Sequence, residues 1–246
     1  MCGRWTRRIC FRRADGEWLV DVKDEAQQFC GHGAQQCCVP TNWVVGAVEL
    51  KIGILAVQGD FAAHAAMLES LGAETVEVRT IGGLEGCDGI ILPGGESTTQ
   101  LQFLQEEGLF DAICKFAKDG NAVFGTCAGA ILLASEVKNP PQASLGLLEM
   151  TVLRNGYGRQ LASDVFFEPT KLKAEPLEMV FIRGPIIESL AQDISVLASH
   201  EGKPALVQQE NILAATFHPE LTDDSTVHQH FLSMVAAAQK SSVSAG

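Results

Sequence analysis

One segment joins a short apolar run to a helix-like run around a single cysteine, and residues 121–134 read Asn-Ala-Val-Phe-Gly-Thr-Cys-Ala-Gly-Ala-Ile-Leu-Leu-Ala. The apolar run before Gly125 is typical of a buried strand, and the run after Cys127 is typical of a helix start. Gly125 and Gly129 flank the cysteine, and glycine tolerates the unfavourable dihedral angles that a tight turn imposes. The segment therefore predicts a strand-to-helix elbow with Cys127 at its tip, where a nucleophile would lie.

Cys127 has two interpretations at this point. A cysteine beside a helix N-terminus is favoured as thiolate, because unpaired N–H groups and the positive end of the helix dipole face it. Most free cysteines, however, are small buried hydrophobic residues. The elbow by itself leaves both open.

A second motif follows about ninety residues later, where residues 216–220 read Thr-Phe-His-Pro-Glu after the apolar run 212–215. In an extended segment, residues two apart point to the same side, so His218 and Glu220 are expected to lie together. The imidazole can take a thiol proton while the carboxylate fixes its tautomer. A solvated hydrogen bond is the simpler alternative for a lone His-x-Glu pair. With the elbow, the pair predicts a triad of Cys127, His218 and Glu220.

A third motif is the loop Leu-Pro-Gly-Gly-Glu-Ser at residues 92–97, which follows the apolar run 89–92. Consecutive glycines allow backbone N–H groups to approach a ligand closely. Together with the N–H of Ala128, the N–H of Gly95 could stabilise the oxyanion of a tetrahedral intermediate. An ordinary tight turn is the alternative. Three motifs at the ends of different strands nevertheless favour one shared site.

These residues carry a family resemblance. The elbow and the His-Pro-Glu motif resemble triad-type (class I) glutamine amidotransferases, whose domain hydrolyses glutamine and passes ammonia to a partner. The finer pattern is similar to the glutaminase subunits of pyridoxal 5'-phosphate synthase, and the resemblance covers about residues 51–238. The motifs that carry it lie at residues 55–59, 92–99, 158–160, 181–183 and 217–222.

The resemblance implies a role for each matching residue. Cys127 would be the nucleophile, His218 the general base and then acid, and Glu220 the orienting carboxylate. The oxyanion hole would use Gly95 and Ala128, with Gln58 as an additional candidate. The remaining matches would bind the substrate L-glutamine, and they are Gly95, Glu96, Ser97, Arg159, Ile182 and Arg183.

Two of these positions have readings outside the resemblance. The planar guanidinium of Arg159 suits the carboxylate of a free amino acid, although a surface ion pair is the commoner fate of Arg159 and Arg183 alike.

Gly184 departs from the family pattern, in which alanine is expected between Arg183 and Pro185. We expect this small change to add local flexibility without affecting the chemistry.

The order of apolar runs predicts an α/β fold. Strands are expected at 51–58, 74–79, 88–92 and 122–124, with helices at 61–71 and 98–117, which indicates a mostly parallel sheet flanked by helices. Short strands at 148–153, 179–183, 195–199, 205–208 and 212–217 predict additional antiparallel pairing in the second half, with a hairpin turn at 209–211. A closing helix is expected at 225–238. The resemblance implies the same fold, which is flavodoxin-like.

Composition narrows the classes of function. The chain has 246 residues, 46% of them hydrophobic, and a net charge of −12. An acidic surface repels phosphate backbones, so we expect no nucleic-acid partner. No apolar run approaches the roughly 20 residues of a membrane helix, so we expect no membrane contact and a cytoplasmic location. We also expect neither a cofactor nor a metal.

Residues 1–49 do not follow this plan. They hold five of the eight cysteines and lack a hydrophobic period, so we expect a disordered or non-native extension, such as upstream sequence read through from an early start. A metal site around Cys30, His32, Cys37 and Cys38 is the alternative, although the paired spacing of a zinc module is absent. The expected organisation is an extension at 1–49, an amidotransferase domain at 50–240 and a flexible tail at 241–246.

Three classes of function remain at this stage. The favoured one is glutamine hydrolysis that supplies ammonia to the synthase subunit of a hetero-oligomer. A stand-alone cysteine hydrolase of the same fold needs only the elbow, and the His218–Glu220 pair argues against it. A noncatalytic binding subunit is disfavoured because every triad position is occupied.

Overall fold

The computed structural model describes residues 11–14, 17–20, 50–156 and 164–244. Contacts divide the chain into two units, residues 1–48 and 49–246. In the first unit, strands β1 (Phe11–Ala14) and β2 (Glu17–Val20) form an antiparallel hairpin. The predictions made for the cysteines and histidine of residues 1–49 lie outside the described residues.

The second unit alternates strands and helices in its first half. The elements are β3 (Lys51–Leu55), α1 (Phe61–Ser70), β4 (Glu74–Val78), α2 (Ile81–Leu84), β5 (Gly89–Leu92), α3 (Ser97–Glu106), α4 (Leu109–Lys118), β6 (Ala122–Thr126) and α5 (Ala128–Leu133). The single helix predicted at 98–117 is wrong, because two helices occupy this stretch. Gly108 lies between them in a left-handed conformation with φ of 69°, which a continuing helix cannot adopt.

The second half is mostly strands. They are β7 (Ala134–Lys138), β8 (Leu148–Leu153), β9 (Asp164–Glu168), β10 (Leu177–Phe181), β11 (Ile186–Leu190), β12 (Ser195–His200), β13 (Lys203–Gln209) and β14 (Ile212–Ala215). A 3-10 turn follows at Pro219–Leu221, and α6 spans Thr226–Ser244, beyond the predicted end at residue 238. Sequence reasoning did not predict α2, β7, β9 or β11.

The central sheet has seven strands in the order β12-β13-β14-β6-β5-β3-β4. The five strands from β14 to β4 are parallel, and β12, β13 and β14 pair antiparallel. The predicted hairpin turn is confirmed, because Gln209 pairs with Ile212 across it. The predicted fold class is confirmed as well: a mostly parallel α/β sheet with antiparallel strands in the second half.

Helices and smaller sheets cover both faces of this sheet. Alternate strand residues enter two apolar clusters, as the side-chain period of a strand requires. Ile90 and Val123 pack with α3, α4 and α5, whereas Ile91 and Phe124 pack with α1 and α6. Within the part of the chain that the structure describes, no helix has the length and apolarity needed to cross a bilayer.

Candidate active site

The elbow has the predicted topology. Strand β6 ends at Thr126, helix α5 begins at Ala128, and Cys127 lies between them with φ of 48° and ψ of −100°. Such a backbone costs a non-glycine residue about 1–3 kcal/mol and persists only where its surroundings impose it. Here the Cys127 N–H donates to Ala215 O at 2.8 Å, which ties the elbow to the end of β14.

The reason for the flanking glycines differs from the prediction. The strained backbone belongs to Cys127, and neither Gly125 nor Gly129 has a positive φ. The glycines are explained instead by the lack of room for a side chain at either position. A Cβ on Gly129 would lie 1.9 Å from Leu92 O, and one on Gly125 would lie 2.6 Å from the Gly129 carbonyl carbon. The two glycines therefore allow α5 to start against the end of β5, which places Cys127 beside the loop that follows β5.

His218 and Glu220 are brought together by a turn. The extended geometry predicted for them is wrong, because β14 ends at Ala215 and Pro219–Leu221 form a 3-10 helix. The pairing itself is present, since His218 Nδ1 lies 2.7 Å from Glu220 Oε1. His218 is 4% exposed and Glu220 6%, and the His218 N–H donates to Val180 O at 2.8 Å. The backbone of β10 thus fixes the backbone of His218, and Glu220 holds its imidazole.

Proton affinity in this pair is set by close neighbours. Burial lowers the pKa of His218, but hydrogen bonds to the Cys127 thiol and the Glu220 carboxylate outweigh it and raise that pKa to about 10. Burial raises the pKa of Glu220, while the His218 contact acts in the opposite direction. The raised pKa means that His218 holds its proton at neutral pH, between the sulfur of Cys127 and the carboxylate of Glu220.

The glycine loop after β5 lies directly against the imidazole. A Cβ on Gly94 would fall 2.3 Å from His218 Cε1, so only glycine fits there. Gln58 Nε2 donates to Glu96 O at 3.2 Å, which joins this loop to the loop after β3. Ser97 is buried and donates to Gln142 Oε1 at 3.0 Å. The structure therefore brings this loop against His218 at Gly94, while the roles of Gly95, Glu96 and Ser97 in binding stay predictions.

Of the remaining predicted substrate-binding residues, Ile182 and Arg183 are among the described residues and Arg159 is not. Ile182 and Arg183 follow β10 directly, and Arg183 has φ of 50°. A Cβ on Gly184 would lie 2.5 Å from Thr216 O, so an alanine here would need the neighbouring backbone to shift. The local flexibility expected of this glycine stays a prediction. Arg159 lies outside the described residues.

Sequence reasoning missed three polar side chains at the site. Asp60 Oδ2 lies 3.6 Å from His218 Nδ1, His64 Nε2 lies 3.4 Å from Glu220 Oε2, and His228 lies beside His64. A usable signal existed for His64, because it falls on the apolar face of the predicted helix 61–71, between Phe61 and Leu68. Helix α6 gave no comparable reason to select His228.

A metal would have to compete with an existing hydrogen bond here. Among the described residues, Asp60, His218 and Glu220 bring ligand atoms within 4.8 Å of one another. The closest of those atoms, His218 Nδ1 and Glu220 Oε1, already bond to each other at 2.7 Å. The group is therefore explained as a histidine held by carboxylates, and the absence of a metal stays a prediction.

An elbow cysteine next to a histidine–carboxylate pair, at the ends of parallel strands, defines the class of α/β proteins with a triad-type thiol site. The chain belongs to the SNO glutamine amidotransferase family, whose sequence model matches residues 54–237. This finding agrees with the family resemblance of the motifs.

Individual relatives extend this result. The pyridoxal 5'-phosphate synthase subunit PdxT of Solibacter usitatus (strain Ellin6076) is 51% identical over 190 residues, which cover 74% of this chain and 98% of the relative. The protein of the same name from Thermotoga neapolitana is 47% identical over 187 residues, 76% of this chain and 100% of the relative. A glutamine amidotransferase of known crystal structure matches with a TM-score of 0.72 and 43% identity, covering 75% of this chain and 98% of its own.

Proposed function

We propose that this protein is the glutaminase subunit of a pyridoxal 5'-phosphate synthase. It hydrolyses L-glutamine to L-glutamate and ammonia at Cys127, His218 and Glu220, and delivers the ammonia to a synthase subunit. The observation that carries the proposal is the imidazole of His218, which bonds to Glu220 Oε1 at 2.7 Å and whose pKa is raised to about 10 by Cys127 and Glu220 against the effect of burial. The family and the PdxT relatives supply the substrate class.

The first half of the reaction forms a thioester. The thiolate of Cys127 attacks the side-chain amide carbon of glutamine, and the carbonyl oxygen becomes an oxyanion. Backbone N–H groups of Ala128 and Gly95 stabilise that charge, with Gln58 Nε2 as a further donor. The His218 imidazolium gives its proton to the amide nitrogen, so the C–N bond breaks and ammonia leaves.

The second half regenerates the thiolate. His218, now neutral, takes a proton from water, and the hydroxide attacks the thioester carbon. The C–S bond breaks, glutamate leaves, and the thiolate–imidazolium pair is restored. Throughout both steps Glu220 holds the Nδ1–H, so Nε2 stays directed at the reacting atoms.

A partner follows from the chemistry of ammonia. Free ammonia is mostly ammonium at neutral pH and is then not a nucleophile, so hydrolysis without an acceptor would waste glutamine. The sequence has no Gly-x-x-x-x-Gly-Lys loop for phosphates, so sugar phosphate chemistry belongs to the other subunit. Docking of that subunit can raise glutaminase activity only as far as it favours the competent form of the 93–97 loop. We place the complex in the cytoplasm.

The test is a kinetic mixing experiment. Glutamate formation is followed for the chain alone, with its synthase subunit, and with a Cys127→Ser variant in place of the wild type. We expect slow turnover alone, stimulation by the synthase, and loss of at least about a thousandfold in the variant, because a hydroxyl is a poor nucleophile near neutral pH. Cys114→Ser is the matched control, since Cys114 lies within α4 rather than at the elbow and its thiol donates to Leu145 O.

Three outcomes would contradict the proposal. Full turnover by the isolated chain would favour a stand-alone cysteine hydrolase. Failure of the glutamine-fed mixture to make pyridoxal 5'-phosphate would exclude the assigned complex, and activity of Cys127→Ser within a few fold of wild type would remove Cys127 from the mechanism.

A further inference from the structure

One oxygen of the Glu220 carboxylate has no role in the mechanism above. Oε1 accepts from His218 at 2.7 Å, but Oε2 is buried and receives no hydrogen bond from the described residues. His64 Nε2 lies 3.4 Å from it, and neither side chain has exposed surface. A buried carboxylate oxygen without a donor is costly, so the contact with His64 needs an explanation.

His64 is itself part of a buried chain of polar groups. Its Nδ1 lies 2.9 Å from His228 Nε2, and its Nε2 lies 3.1 Å from Thr126 Oγ1. The ring of Phe124 meets both imidazoles edge-on, with centroids 6.2 Å from His64 and 6.0 Å from His228. The chain therefore links α1 and α6 to the end of β6, one residue before Cys127.

Both imidazoles are neutral at physiological pH. Burial, followed by the nearby His228 and His218, holds the pKa of His64 well below its usual value, and burial lowers the pKa of His228 to about 4. Each ring therefore carries one N–H and one lone pair. The contacts allow two ways of placing these two protons.

In the first arrangement, the His228 Nε2–H donates to His64 Nδ1, and the His64 Nε2–H points at Thr126 Oγ1 and Glu220 Oε2. Every N–H then has an acceptor. The only unpaired atom is His228 Nδ1, which has no partner among the described residues and is then a lone pair.

In the second arrangement, the His64 Nδ1–H donates to His228 Nε2. The lone pair of His64 Nε2 would then face the carboxylate oxygen, and the N–H on His228 Nδ1 would be a buried donor without an acceptor. Both features are unfavourable, because like partial charges repel and an unsatisfied buried donor loses its hydration without compensation. The first arrangement is therefore the stable one.

We propose that His64 is a positioning residue for catalysis, which holds Glu220 through its Nε2–H, and that His228 fixes the His64 tautomer that makes this possible. The assignment rests on the proposed role of Glu220 as the residue that orients His218. With Oε2 held by α1 and Oε1 by His218, the carboxylate has a single orientation, and its ionised form gains a second donor.

The ionisation of Glu220 gives the assignment a pH signature. The groups that face Glu220 are His218 from its own turn, His64 from α1 and Asp60 from the loop before α1. Loss of the His64 donor removes support for the carboxylate anion, so Glu220 takes up a proton at higher pH than in the wild type. A protonated Glu220 no longer supports the His218 imidazolium, so activity is lost earlier as the pH falls.

The kinetic experiment compares His64→Leu with His64→Gln in the complete enzyme. His64→Leu removes the donor, and we expect kcat to fall about tenfold, as for a lost hydrogen bond to a charged group, with KM within about twofold. The acid limb of its kcat profile moves up by about half to one pH unit. His64→Gln supplies an amide N–H near the Nε2 position and recovers most of kcat and the wild-type limb.

His230→Gln is the matched control. It removes a histidine from the same helix as His228, but one that bonds to Gln208 Oε1 at 2.7 Å rather than to His64, so its kcat and acid limb stay at wild-type values. The proposal fails if His64→Gln is as impaired as His64→Leu, or if His64→Leu leaves the acid limb unmoved.

The tautomer is also measurable in the unmodified protein. Two-bond ¹H–¹⁵N correlation spectra of ¹⁵N-labelled protein between pH 6 and 8 are expected to show a neutral His64 protonated at Nε2. A proton at Nδ1 would overturn the proposal even if His64→Leu did not fold. This measurement needs no activity, so an inactive wild type would reject the proposed function and leave the tautomer result to decide the role of His64.

Discussion

The proposed triad has a back and a front that are built in different ways. The back, which consists of Glu220, His64 and His228, is buried and held by side-chain contacts between helices. The front, which consists of the 93–97 loop and Gln58, is partly exposed and shaped by backbone and glycine. In the proposed mechanism, proton transfer therefore depends on packing from α1 and α6, whereas substrate access depends on the conformation of the 93–97 loop.

Substitutions in the proposed triad itself, at His218 and at Glu220 of the back, have the largest expected effect. His218→Asn removes the proton carrier, and we expect kcat to fall by at least about a thousandfold. Glu220→Gln keeps the shape but loses the anion, and we expect it to retain about 10 to 100 times the activity of His218→Asn, as orienting carboxylates do in comparable triads. Steady-state glutaminase kinetics measure both. Equal losses would show that Glu220 does more than orient the imidazole.

The close contact between the start of α5 and the end of β5 is tested by adding one methyl group at Gly129. Gly129→Ala would place a Cβ 1.9 Å from Leu92 O, and we expect a loss of about 3 kcal/mol or more in the free energy of unfolding, because backbone on both sides cannot move away. Gly82→Ala is the matched control in α2, where the nearest atom is Thr80 Oγ1 at 3.9 Å. The control is expected to be neutral or to stabilise by up to about 1 kcal/mol. Urea unfolding gives both values, and similar values for the two would refute the packing argument.

The pH dependence of activity tests both parts of the site, because His218 contacts Glu220 in the back and Gly94 in the front. Its pKa is raised to about 10 by Cys127 and Glu220 against the effect of burial. A raised pKa in the folded state stabilises the protein fully below the ordinary value of about 6.5, and this stabilisation is lost as the pH rises through about 10. We expect kcat to have its alkaline limb near pH 10. In Cys127→Ser, NMR titration should show His218 losing its proton at lower pH than in the wild type. An unchanged titration would exclude Cys127 as a cause of the raised pKa of His218.

The smallest expected effect is at the front. Gln58→Ala removes the donor to Glu96 O, a hydrogen bond between partly exposed groups at 3.2 Å. We expect stability to change by less than about 0.5 kcal/mol, with kcat/KM for glutamine reduced less than about tenfold. Thermal unfolding and glutaminase kinetics test these values. A loss of activity comparable to that of Glu220→Gln would mean that the front and the back contribute equally to catalysis.

Local sequence patterns predicted part of the fold and part of the site. The apolar runs located β3, β5, β6 and β14 because a buried parallel strand is mostly apolar, whereas β4 was located by its alternation of polar and apolar residues. The glycine-flanked cysteine marked the elbow because the motif is contiguous. The pattern was less informative in the second half, where β7, β9 and β11 were not predicted. These strands are only five residues long and mix exposed and buried positions without a shared alternation, which is a weak signal without the neighbouring strands.

The sequence by itself determined the parallel α/β plan, the elbow around Cys127 and the proximity of His218 to Glu220, because each depends on residues adjacent in the chain. Only the tertiary structure decided why Gly129 and Gly184 are glycines, since the atoms they avoid, Leu92 O and Thr216 O, belong to other segments. It also decided that His64 and His228, 164 residues apart, meet behind Glu220. Contacts between distant segments arise when helices pack on a sheet, and no local pattern records which polar side chains that packing buries together.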